Sequence, residues 1–357
     1  MMKKLYHYTN IDTMRYILGA GTMYATNLKY MNDSEEYANG LKELCDIINS
    51  KSNTCVISEE RLREGLQEDV PIYSISFSAA RDLLSQWSMY AGESGVSIKF
   101  VFSGKEKYKT DVNEENKKEY IVDDRITICP REVFYCTRRI MNRKDYASVV
   151  ERIWKNEVQN ERKISIKDAE DNLRLLWKAE APFIKHAEFK AEKEYRLVFN
   201  KEYWQNDKYK YKIHYRKDQN ILKPYLDIEC EGGWPVREII VGPGSNQSSV
   251  FRCVVHFLNN ADLKVKGCSL LEQCEEYFKL CGNMPDEAQK IWDVKKKELA
   301  NVKGNQLAAF DTIRNEILEK LENLERNHLF ARQMREREIT KEGIIVSKSA
   351  IPYVFHN

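Results

Sequence analysis

Apolar positions recur along the chain with two different periods, two residues in some runs and three to four in others, so both strands and helices are predicted. The first run, KKLYHYTN, reads as a short aromatic strand with His7 at its centre. Behind Asn10, the positions Ile11, Met14, Ile17 and Leu18 keep helical spacing, and Gly19 and Gly21 end it. A short strand follows around Met23 to Ala25, then a turn at MNDSE and a helix from Ser34 to near Asn49. After a polar loop and an amphipathic piece from Glu59 to Glu68, VPIYSISFSAA predicts a strand over Ile72 to Ser78. RDLLSQWSMYAGESG reads as a helical turn closed by glycines, and GVSIKFVF, Gly95 to Phe102, as another strand. The charged EKYKTDVNEENKKEY predicts a solvated loop or hairpin tip, with further strands at Tyr120 to Asp123 and Arg131 to Cys136.

From Lys144 the period lengthens. Tyr146, Val149, Val150, Ile153, Trp154 and Val158 share one helix face, and Leu173, Leu176, Trp177 and Phe183 a second, opened by the capping-like Ser165 to Asp168. FKAEKEYRLVF, Phe189 to Phe199, then reads as a strand entering a core. Three more strands are predicted in KYKIHYRKD, ILKPYLDIEC and REIIVGPGSN, followed by a short helix in SSVFRCVVHFLNNA and a strand in DLKVKGC. Pro285 to Glu338 holds almost no strand formers, and Phe310, Ile313, Ile317, Leu321 and Leu324 step by three and four. It predicts a long amphipathic helix or helical hairpin broken near Gly304, whose apolar face packs on its own domain or serves a homodimer or partner protein. GIIVSKSAIPYVF closes the chain with a strand from Ile344.

The expected fold class is therefore α+β, a mixed or antiparallel sheet flanked by helices. The expected division is a core over 1–284, a helical insertion over 285–340 and a closing strand over 341–357 that returns to the core. Of the 357 residues, 42% are hydrophobic and 31% charged, as in a soluble globular protein. A formal charge of +2 gives no whole-molecule field for capturing nucleic acid. No apolar run approaches the roughly 18 residues of a membrane span, and MMKKLYHYTN lacks an apolar signal core, so no membrane partner and a cytoplasmic location are expected. Nine cysteines are scattered without a C-x-x-C pair, and Cys268, Cys274 and Cys281 match no zinc spacing. They are expected to be buried hydrophobes or free thiols, and no metal site is expected.

The chemistry concentrates in Phe189 to Phe199. Strand alternation puts Glu192 and Glu194 on one face, so two acids converge on a small volume with Arg196 in phase beside them. An exposed strand end with ordinary ion pairs explains the same residues without any chemistry.

Six stretches taken together resemble the domain-of-unknown-function 2971 family of bacterial proteins and, through it, the ADP-ribosyltransferase superfamily. They are His7-Tyr8-Thr9, Met31 to Glu36, Ser76-Phe77-Ser78, Gln86 to Ala91 followed by Gly95, Phe189 to Arg196, and Ile239 to Pro243. Val346 to Ser349 with Pro352 and Tyr353 resembles the family's closing strand. The resemblance implies a split sheet with an NAD cleft and a chain that transfers ADP-ribose, as a toxin or antiviral defence effector. Breaking the bond between nicotinamide and ribose develops positive charge on the ribose, which a carboxylate stabilises. Glu194 or Glu192 suits that role, with Glu194 preferred and the other orienting the acceptor. His7 is expected on the adenosine-side ribose, with Tyr8, Thr9, Ser76, Phe77, Ser78 and Trp87 around the pocket. Tyr90 or Tyr8 offers a stacking face for nicotinamide, and Arg196 pairs with Glu194 or meets the pyrophosphate. NAD is thus the expected substrate, with a protein, a nucleic acid, a small molecule or water as acceptor. A silent binding module acting through the helical tail is the alternative of a different class. The run Tyr203 to Lys217 interleaves aromatics with bases, which suits nucleic acid, and a hairpin with solvated lysines accounts for it as well.

Overall fold

The structure, a computed structural model, describes residues 2–31, 58, 60, 72–92, 95–112, 117–121, 128–136, 174, 179–200, 211–218, 220–302, 305–322 and 328–351. The strands are β1 (Lys3–Thr9), β2 (Thr22–Asn27), β3 (Ile72–Ser78), β4 (Val96–Phe102), β5 (Tyr108–Asp111), β6 (Lys118–Tyr120), β7 (Arg131–Glu132) and β8 (Phe134–Cys136), then β9 (Ile184–His186), β10 (Glu194–Asn200), β11 (His214–Asp218), β12 (Ile221–Cys230), β13 (Val236–Val241), β14 (Arg337–Ile339) and β15 (Ile345–Lys348). The longer helices are α1 (Ile11–Ala20), α2 (Gln247–Asn260), α3 (Leu270–Cys281), α4 (Asp286–Asn301), α5 (Gln306–Glu322) and α6 (His328–Arg335). The class is α+β with a mixed, mainly antiparallel sheet and a helical C-terminal region. The chain forms two compact units, one of Met1–Thr22, Ser78–Ser103 and Glu229–Asn357, the other of Met23–Phe77 and Gly104–Ile228.

In the first unit the strands run β14-β15-β13-β4-β1, with β13 and β15 parallel and the other pairs antiparallel. Helix α1 follows β1 because Asn10 caps it, its side-chain oxygen accepting from the Thr13 amide at 2.8 Å, and Gly21 ends it at φ 76°. Trp87 packs against the β13 end so closely that a Cβ on Gly242 would lie 2.9 Å from its ring. This contact joins the Gln86 to Ala91 stretch, whose Trp87–Ala91 segment is a π-turn, to the Ile239 to Pro243 stretch. Helices α3 to α6 enclose a core of Tyr277, Phe278, Trp292 and Phe310, reaching Ile339 and Ile345 of β14 and β15. Phe310, Ile313, Ile317 and Leu321, the stripe read in the tail, are all buried in it. Among the described residues the tail forms three helices, not one helix or a hairpin, and the described part of its apolar stripe is covered within its own unit. DLKVKGC is not a strand: only Val265 makes an isolated bridge, to Trp234. Among the described cysteines, Cys230, Cys274 and Cys281 are buried and none is in a disulfide.

In the second unit β2, β12, β5 and β6 lie in order beyond β3, β10 lies beside β3 and β7 beside β10. β11 pairs with β12, and β8 with β9 form a separate parallel pair. The charged stretch after Phe102 is a hairpin whose first strand buries Tyr108 and Thr110, because their side of β5 faces the core. Phe189 to Phe199 is a strand only from Glu194: Ala187–Glu192 is a 3-10 helix that ends at Lys193, which has a φ of 48°. Glu192 therefore stands before the strand, not on it. The predicted helices over 34–49 and from 144, the amphipathic piece 59–68 and the turn 32–36 fall on residues that lie, with few exceptions, outside those described. Phe183 is an exception, buried in the short 3-10 helix Ala181–Phe183.

Candidate active site

Although Glu192 and Glu194 belong to different elements, a single ammonium brings them together. Lys185 of β9 donates to Glu192 Oε2 at 2.8 Å and to Glu194 Oε2 at 3.2 Å. Its Nζ also lies 4.6 Å from the centre of the Phe189 ring. The left-handed turn at Lys193 folds the 3-10 helix back on β10, which lets the carboxylate preceding the strand reach the same cation as the one that begins it. Arg196, two residues along β10 and on the same face, closes on Glu194 with both arms: Nε donates to Oε1 at 2.7 Å and Nη2 to Oε2 at 3.0 Å. Its Nη1 donates to the Pro182 carbonyl at 2.7 Å, so the fork cannot swing. Two acids and two bases thus form a neutral quartet. All four are buried.

Burial by itself raises the Glu194 carboxyl pKa, but the Arg196 charge and hydrogen bonds, then the Lys185 charge and the Ser76 hydroxyl, outweigh it and leave the pKa below its ordinary value. Ser76 comes from β3, the neighbour of β10, so the middle-strand serine and this acid meet on adjacent strands. Tyr135 of β8, in register with Lys185, accepts the Glu194 amide at 2.6 Å through its phenol oxygen. Burial, with added repulsion from Glu194 and Glu192, pushes that phenol up to about 12, so it stays protonated at neutral pH.

The second unit thus holds Ser76, Phe77, Glu192, Glu194 and Arg196, and it assembles all of them except Phe77 into the quartet and its rim. Phe77 is a core residue. The first unit holds His7, Tyr8, Thr9, Ser78, Trp87 and Tyr90. There Tyr8 donates to the Ala80 carbonyl at 2.8 Å, accepts from the Leu83 amide at 3.1 Å, and meets Trp87 edge-on at 4.8 Å. Trp87 is 2% exposed and donates to Asp82 at 2.7 Å, while Asp82 also receives Ser349 and the Ala350 amide. Ser78 accepts from the Ala80 amide at 3.0 Å as a turn bond. Tyr8 and Trp87 are therefore engaged with their own unit, and Tyr90 is the one ring of the three that is exposed, at 40%. His7 stands opposite Ile98 and Thr9 opposite Val96 on β4.

The sequence does not single out Lys185 or Tyr135. The available signal was a lone cation within the short apolar run PFIKH, which is costly to bury unless answered by an acid. No curated protein and no solved structure matches the chain. Residues 86–197, which run from the π-turn to the first half of β10, match the model of the family described as "Protein of unknown function (DUF2971)", and over that stretch the chain is similar to this family.

Proposed function

We propose that this chain is an NAD-dependent ADP-ribosyltransferase in which Glu194 is the anion that stabilises the ribosyl cation. The observation that carries the reading is a carboxylate kept ionised while 5% exposed, fixed at both oxygens by Arg196 and accompanied by Ser76 from the next strand. A fixed anion in poorly hydrated surroundings stabilises charge that develops in the transition state without having to reorganise. Glu192, tied to Glu194 through Lys185, is suited to the neighbouring task of orienting the acceptor and taking its proton. The expected fold, a split sheet of the ADP-ribosyltransferase kind, belongs to the same proposal.

A second reading, a catalytically silent binding module, is favoured by one observation: every charge of the quartet is answered inside the quartet. Incubation with NAD labelled in its adenylate half, together with cell lysate, separates the readings. The transferase reading predicts label on a macromolecule and release of nicotinamide. Nicotinamide release with free ADP-ribose alone would mean that water is the acceptor. No turnover under any condition would leave the silent module.

A further inference from the structure

We infer that Tyr135 is a substrate-binding group of this site, its phenol O–H donating to the 2′-hydroxyl of the nicotinamide ribose while that hydroxyl donates to Glu194. The inference rests on the transferase reading. Tyr135 and Lys185 stand opposite each other in the parallel β8–β9 pair, so their side chains leave the same face. Lys185 reaches both carboxylates, and the tip of the Tyr135 ring arrives beside them, its oxygen 2.6 Å from the Glu194 amide nitrogen. That oxygen accepts one hydrogen bond, while its own hydrogen meets no acceptor among the described residues. The neighbouring cations are committed: Arg196 turns Nε and Nη2 to Glu194 and Nη1 to the Pro182 carbonyl, and Lys185 is shared between Glu192 and Glu194. Tyr135 is half-buried where the four members of the quartet are buried, so of these five side chains it keeps the most surface for an incoming molecule.

The chemistry of the step selects the role. When the bond between C1′ of the ribose and the pyridinium nitrogen of NAD breaks, the electron pair goes to that nitrogen and nicotinamide leaves neutral, so no general acid is needed. A phenol that burial and the nearby Glu194 and Glu192 hold protonated at neutral pH does not act as a base either. What remains is a fixed neutral donor beside a fixed acceptor, and a hydroxyl matches such a pair because it accepts and donates at once. The 2′-hydroxyl sits on the carbon next to C1′, where the positive charge develops, so an anion placed to stabilise that charge has this hydroxyl within reach. The nicotinamide carboxamide also offers a donor and an acceptor, but binding it here would set the leaving ring, not C1′, against Glu194.

The test measures nicotinamide release from NAD and from the analogue lacking that 2′-hydroxyl, as a ratio of kcat/KM values, in the parent and in Tyr135→Phe. The analogue's own reactivity cancels when the two ratios are compared. Tyr135→Phe should lower the preference for NAD by roughly 3- to 10-fold, the worth of one hydrogen bond. The variant also loses the acceptor of the Glu194 amide, which slows both substrates alike and leaves the ratio where it was. An unchanged ratio therefore overturns the inference, and so does a ratio that changes only against an analogue without the carboxamide. Phenylalanine keeps the ring in place, and circular dichroism verifies the fold. No release by the parent would refute the transferase reading and this inference with it. Release that Glu194→Gln abolishes, with the ratio unchanged in Tyr135→Phe, would overturn this inference alone.

Discussion

Replacing Lys185 by methionine removes a cation that Glu192 and Glu194 share. At an effective dielectric constant of about 20, an ion pair at the 2.8 Å separation to Glu192 is worth about 6 kcal/mol and one at the 3.2 Å separation to Glu194 about 5 kcal/mol. Much of this is offset by the cost of dehydrating the ammonium, and deleting one member of a buried pair typically costs about 3–5 kcal/mol. The burden falls on Glu192, since Arg196 still holds Glu194. Its buried carboxylate then loses the Lys185 ammonium. Urea unfolding of the parent, Lys185→Met and Lys185→Met/Glu192→Gln at neutral pH reads the loss. The double variant should recover a large part of it, because an amide needs no counter-charge. A deficit below about 0.5 kcal/mol, or a double variant that recovers none of it, would refute this role of Lys185.

Arg196→Lys should cost about 2 kcal/mol despite keeping the charge, because an ammonium cannot span both Glu194 oxygens and the Pro182 carbonyl; chemical denaturation measures it. Gly242→Ala should destabilise by about 1–3 kcal/mol and shift tryptophan emission, since its new Cβ would press on Trp87; an unchanged midpoint and spectrum would show that the ring has room to move. Burial raises the Glu276 carboxyl pKa, but the bonds and charges of Lys99 and Lys4 outweigh this and leave it lowered. Its contribution, like that of Glu194, is therefore present above the ordinary carboxylate range and lost as pH falls through the lowered value. Glu276→Gln should flatten the acid limb of the stability profile, and an unaltered limb would contradict the assignment.

What the sequence makes legible is local. Asn10 and Gly21 bracket α1 because a cap and a left-handed glycine act on their own helix, and β3, β4 and β13 show themselves by apolar runs. The convergence of Glu192 and Glu194 was visible, but for another reason than the one that operates. E-K-E alternates like a strand, and nothing local marks Lys193 as the residue that turns left-handed. Lys185 stayed hidden because its partners lie seven and nine residues away, across a turn that only the fold creates. The helical tail gave its apolar stripe but not what covers it, since periodicity reports a buried face and not its neighbour.

A time course of nicotinamide release from NAD by the purified chain tests the role of Glu194. The expected result is release by the parent and a loss of roughly 10²–10³ in rate for Glu194→Gln, with the fold retained. An equal rate from the parent and Glu194→Gln, or no release by the parent with its native fold intact, would contradict it.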